Sequence, residues 1–154
     1  MTAEPTSITA LAARVGRPLE PSDWMEITQE RVNRFADATN DHQYIHVDPE
    51  RAAATPLGGT IAHGFLTLSL VPWLTAAHFE SIQGVEMGLN YGLDKVRFLQ
   101  PVRVGSRIRS HMEYLSADEK QAGRWLVKSR VTVEIEGQDK PALVAETLAM
   151  FIVK

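Results

Sequence analysis

The chain contains no cysteine. Disulfides, thiol nucleophiles and thiolate-held metals are thereby excluded, and a reducing, cytoplasmic setting is the expectation. Strong charge of either sign is also lacking: 16 basic and 19 acidic residues leave a net charge of −3. A nucleic-acid partner, which calls for a basic surface, is not expected. Nor is there an unbroken apolar run. The longest apolar stretch, Ile61 to Phe79, is interrupted by His63, Thr67, Ser69, Pro72, Thr75 and His78, whereas a membrane span needs roughly 20 mostly apolar residues. The first 21 residues carry Glu4 and Arg14 and lack a basic start followed by an apolar run, so no secretory signal is predicted. Repeats, low-complexity tracts and linkers are absent. Residues 1–154 therefore read as one domain, with 1–21 as an N-terminal extension.

Local signals divide that domain in two. Ser7 to Val15 suits a short helix, ended by Gly16 and Pro18, and Trp24 to Ile27 a short strand. Thr28 is placed as the N-cap of a helix reaching about Thr39, with Ile27 and Val32 as its hydrophobic staple. Asp48-Pro49 opens a further short helix. Ala62 to Phe79 is apolar on nearly every face, which predicts one long helix buried all round and kinked at Pro72. Beyond it the period changes from helical to alternating. Trp125, Val127, Ser129, Val131, Val133 and Ile135 share one face while Lys128, Arg130, Thr132, Glu134 and Glu136 take the other, the pattern of a half-buried antiparallel strand. Ile108, Met112 and Tyr114 alternate likewise. Leu143 to Val153 is apolar on both faces, as in a central strand or one at a subunit interface. A parity change after Leu93 predicts a bulge near Asp94-Lys95. The expected architecture is α+β: a curved antiparallel sheet wrapped around one long buried helix. An apolar edge left over would favour a homodimer.

The chemistry concentrates in Asp41-His42-Gln43-Tyr44-Ile45-His46-Val47-Asp48-Pro49. An acid and a histidine five positions apart would point well away from each other on one smooth helix. On an irregular turn they can converge on one water molecule, which acid–base chemistry requires. Gly64 follows His46 by eighteen positions, at the start of the apolar helix, where free N–H groups favour developing negative charge. His42 and His46 are also spaced for a metal, but Pro49 and the turn-like segment oppose the helix this needs and no third ligand is specified, so no metal is expected. His78 and His111 read as surface residues. Arg97, Arg103, Arg107, Arg109, Lys128 and Arg130 could meet the phosphates of a carrier or be solvated charge.

These motifs resemble the MaoC-like, or hydratase 2, branch of the hot-dog fold. The family pattern runs aspartate, any residue, asparagine, proline, an aliphatic residue, histidine, any residue, acid. Asp41, Ile45, His46 and Asp48 match it, while Gln43 stands for the asparagine and Tyr44 for the proline. His63-Gly64 meets the family's histidine-glycine at the helix start. The Asp41 to Pro49 stretch followed by Gly58-Gly59-Thr60-Ile61-Ala62-His63-Gly64 looks most like the NodN-like subgroup, as do Asn90-Tyr91-Gly92-Leu93 and Val96-Arg97-Phe98.

The resemblance implies reversible hydration of trans-2-enoyl thioesters of coenzyme A or acyl carrier protein to (R)-3-hydroxyacyl thioesters, by a homodimer that needs no cofactor. By carry-over, Asp41 and His46 share one water as the catalytic pair, with the base left unassigned, and the Gly64 N–H binds the thioester oxygen. Gln43 and His63 support the site. The alternatives are an acyl-CoA thioesterase on the same fold and a non-catalytic acyl-binding subunit.

Overall fold

The computed structural model describes residues 3–154. Thr6–Ser7 (β1) leads into a 3-10 helix, Ile8–Arg14, which Gly16 ends at φ +77. Met25–Glu26 (β2) precedes a helix over Gln29–Thr39 (α1), where Thr28 Oγ1 accepts the Arg31 N–H and the staple pair Ile27 and Val32 is fully buried. One-turn helices follow at Tyr44–Val47 (α2) and Pro49–Ala53 (α3), the latter capped by Asp48 on the Arg51 N–H.

The single long helix expected over Ala62 to Phe79 is not formed. In its place are Gly64–Ser69 (α4), Val71–Leu74 (α5) and Ala76–Glu80 (α6). Pro72 falls in the first turn of α5, where its missing N–H leaves no bond unmade. At the second break the Thr75 hydroxyl donates to the Val71 carbonyl at 2.8 Å, a side-chain bond that competes with the helix ladder. Nor is the segment buried all round. Leu66, Leu70, Val71 and Leu74 enter the core, but Phe65 is 68% and Trp73 70% exposed. Apolar composition marks residues able to be buried and does not specify what buries them.

Ile82–Gln83 (β3) pairs in parallel with β1. The main sheet adds Val85–Phe98 (β4), Arg107–Gln121 (β5), Arg124–Ile135 (β6) and Leu143–Val153 (β7) in the order β2-β5-β6-β7-β4, antiparallel throughout. β7 is thus a central strand, which accounts for its two apolar faces. The alternation expected of β6 holds: Val127, Ser129, Val131, Val133 and Ile135 are buried. Gly123 turns the β5–β6 hairpin at φ +73, where a Cβ would sit 2.8 Å from the Val153 carbonyl oxygen. Opposite β7 the register of β4 shifts at three places, one of them at the expected Leu93/Lys95 and the others at Val85/Met87 and Asn90/Gly92.

Candidate active site

The site is assembled where α1, α2 and the start of α4 meet. α1 ends at Asn40, which takes the left-handed conformation (φ 60) and turns the chain sharply, leaving Asp41 just beyond the helix. His46 lies on the single turn of α2, buried, and its Nδ1 is 2.7 Å from the Ile61 carbonyl. A carbonyl only accepts, so Nδ1 carries the hydrogen and Nε2 keeps its lone pair. Burial lowers the His46 pKa below its ordinary 6.5, a tendency the Ile61 bond opposes, His63 reinforces and Asp41 opposes. The ring is therefore a neutral base near pH 7.

His63, 3% exposed, directs Nε2 to the Asp41 backbone carbonyl at 2.9 Å, with the Asp41 carboxylate 3.9 Å away. Its ring stacks on that of His46 at 3.8 Å, and Phe35 packs on it at 4.9 Å. The remaining nitrogen, Nδ1, is buried without a hydrogen-bond partner among the described residues. Asp41, His46 and His63 thus each bring a polar atom within 4.8 Å of the other two. The Asp41 side chain is about half exposed, and its carboxylate accepts the backbone N–H of Gln43 at 3.3 Å. Gln43 therefore meets Asp41 through its backbone.

Those three residues are also the candidate metal ligands, a different set from the His42/His46 pair suggested by spacing. His42 instead bonds Asp37 on the surface at 2.8 Å. The His46 and His63 planes are inclined by only 21°, and imidazole lone pairs lie in the ring plane, so the two run nearly side by side and do not converge on one ion.

Gly64 begins α4, and its N–H meets no protein acceptor among the described residues. A Cβ at this position would lie 3.1 Å from the Phe98 ring, so glycine lets strand β4 and the helix start come together. A cavity of about 240 Å³ opens here, bounded by Ile61, Gly64, Thr67, Phe98 and Val102. His78, expected at the surface, is buried, with Nε2 on the Glu20 carbonyl at 2.9 Å. His111 does lie towards solvent, paired with Glu134. Of the six cations considered for a carrier, Arg107, Arg109, Lys128 and Arg130 are held by carboxylates, whereas Arg97 and Arg103 donate to the backbone carbonyls of Val96 and Gly58. Phe35 packs on His63, and Gln29 bonds both the His46 carbonyl and the Thr60 hydroxyl. Thr60 falls in the Gly-Gly-Thr-Ile-Ala-His-Gly motif without a role assigned to it, and no sequence signal marked Gln29.

A curled antiparallel sheet against a segmented helix, with an acid and a histidine beside the helix start, is the hot-dog architecture of the hydratases. Residues 10–138 match the family model described as the MaoC like domain, and the chain belongs to that family. It is 51% identical over 146 residues to the 3-hydroxyacyl-thioester dehydratase Z of Mycobacterium tuberculosis, covering 95% of this chain and 96% of that one. It is 46% identical to nodulation protein N of Rhizobium leguminosarum bv. viciae, covering 94% and 90%. Among solved structures, the R-hydratase PhaJ1 from Pseudomonas aeruginosa superposes with a TM-score of 0.68 at 25% identity, covering 91% of this chain and 83% of that one.

Proposed function

We propose that this protein is a hydro-lyase that interconverts trans-2-enoyl and (R)-3-hydroxyacyl thioesters. The observation that carries the reading is the free, neutral Nε2 of His46 beside the half-exposed carboxylate of Asp41. One water lies between them. His46 Nε2 takes its proton as the water oxygen forms a bond to the β carbon of the enoyl group. The charge that develops on the thioester oxygen is met by the Gly64 N–H, and the Asp41–His46 pair returns one proton to the α carbon. The pair ends in its starting protonation state, and addition from one water on one face yields one stereochemical product. Losing a single oxyanion donor costs on the order of 3 kcal/mol in well-studied enzymes.

An apolar cleft of about 600 Å³ between α4–α6 and strands β4 and β7 gives room for the acyl chain. Strand β4 is a sheet edge whose Met87, Leu89, Tyr91 and Phe98 are exposed, with exposed Phe65 against Phe98, and Trp73 is exposed on α5. So large an apolar surface favours a second copy of the chain as its cover. Sedimentation of Tyr91→Lys tests this: a protein that sediments as the wild type counts against an interface here.

The deciding experiment follows loss of enoyl absorbance from crotonyl-CoA and a longer enoyl-CoA. Wild type turns over, and Asp41→Asn and His46→Ala each fall by about 10²–10⁴-fold, the usual worth of a general acid or base. Thiol release with the enoyl absorbance unchanged would instead indicate a thioesterase. Tight binding without turnover would indicate an acyl-binding subunit.

A further inference from the structure

The short helix that carries His46 has too few residues to hold itself in place. A single turn fixes several backbone angles for one or two hydrogen bonds, so α2 depends on its surroundings. Two segments remote in sequence supply them. From one side, the Ile61 N–H bonds the Ile45 carbonyl at 2.9 Å while the Ile61 carbonyl takes His46 Nδ1–H at 2.7 Å. From the other, Gln29 at the start of α1 donates from Nε2 to the His46 carbonyl at 2.7 Å and to Asn33 Oδ1 at 2.9 Å. Gln29 Oε1 in turn accepts the buried Thr60 hydroxyl at 2.6 Å. Both hydrogens and the oxygen of this amide are used, which fixes its orientation, since a flipped amide would set oxygen against oxygen at His46 and Asn33. Thr60 is itself anchored, its carbonyl accepting the Val104 N–H at 2.9 Å while Ala62 bonds Val102.

We propose that Gln29 and Thr60 are positioning residues that clamp the His46 turn between α1 and the 60–62 segment, setting the direction of the Nε2 lone pair. The clamp rests on the catalytic role given to His46 above, and neither side chain touches substrate. A fully satisfied, partly buried network is rigid, and misplacing a catalytic group by about 1 Å can cost 10²-fold in rate.

Thr60→Val and Gln29→Leu remove the hydroxyl and the amide at similar volume without adding charge, and Thr60→Ser keeps the hydroxyl. The expected result is a fall in kcat of about ten- to a hundredfold for the first two, with a smaller change in KM and near wild-type kcat for Thr60→Ser. A second readout does not depend on turnover: the titration of the His46 ring followed by NMR. In wild type its neighbours are the Ile61 carbonyl, Asp41 and His63. Loosening the clamp admits water and moves the His46 midpoint upward toward the ordinary histidine value. Wild-type kcat in both variants, an equal loss in Thr60→Ser, or an unmoved His46 titration would each overturn the clamp. Absence of turnover in the wild-type protein would instead defeat the catalytic reading, and the titration would still decide whether the clamp exists.

Discussion

His46 and His63 lie face to face, their ring centroids 3.8 Å apart and their planes inclined by 21°. One ring has its Nδ1–H on the Ile61 carbonyl and the other its Nε2–H on the Asp41 carbonyl, so the bonded nitrogen of each ring is fixed as a donor. Charging either ring would place a cation against its neighbour. The stack therefore links the Asp41 backbone to the surroundings of the His46 ring through His63.

Replacing His63 separates the stack from the hydrogen bond. His63→Phe keeps a flat ring against His46 but releases the Asp41 carbonyl, and His63→Ala loses both. A drop in kcat of about tenfold is expected for Phe and a larger one for Ala, from misplacement of the reacting groups. Steady-state rates on one enoyl thioester decide it. Equal rates in all three proteins would show the stack to be idle.

Acid sensitivity follows from two buried histidines. Burial is the main cause lowering the pKa of both His46 and His78 below 6.5. Between the lowered folded values and 6.5 the unfolded chain binds more protons than the folded one, so stability rises with pH across this window. Read downward, stability is complete above 6.5 and is lost as pH falls below it. Urea unfolding at pH 7.5 and 5.5 should give a lower midpoint at 5.5, and equal midpoints would contradict the burial of these rings. The acid limb of kcat/KM should likewise fall below 6.5, since the unprotonated His46 is the active form.

At Gly64 the limiting contact is a single aromatic ring. Gly64→Ala sets a methyl 3.1 Å from the Phe98 ring, so either the ring gives by a few tenths of an ångström or the helix start moves and carries its N–H with it. The expected loss in kcat is up to about a hundredfold, within the range for a displaced oxyanion donor. Adding Phe98→Leu should recover part of it. Strict additivity in that double-mutant cycle would show that Phe98 is not the obstacle.

Two residues of the N-terminal extension, Ile8 and Leu11, belong to the core. Leu11 in the 3-10 helix is fully buried and Ile8 nearly so. Leu11→Ala should cost about 2–5 kcal/mol, as for other buried leucines, and lower Tm by several degrees. A wild-type melting temperature would mean that residues 8–14 pack only loosely.

Much of this molecule is written in short-range pattern. The two-residue alternation of Trp125 to Ile135, the Thr28 and Asp48 caps and the bulge near Asp94 each depend on residues within a few positions of one another. Asp41, His46 and Gly64 stood out because the turn that brings acid and histidine together is local as well. By contrast, the burial of His78 depends on a carbonyl 58 positions away, and the Thr60–Gln29 bond spans 31. Contacts of that kind leave no periodicity behind.

The sequence by itself determined an α+β chain with long antiparallel strands, a polar turn bearing Asp41 and His46, and a glycine at a helix start. Only the tertiary structure decided that the apolar segment breaks into three helices with Phe65 and Trp73 outward. It also decided that His63 stacks on His46 and that Gln29 grips the His46 turn. Hydrogen bonding and ring stacking act over a few ångströms in space, and only the folded sheet and helices bring those distant positions within reach.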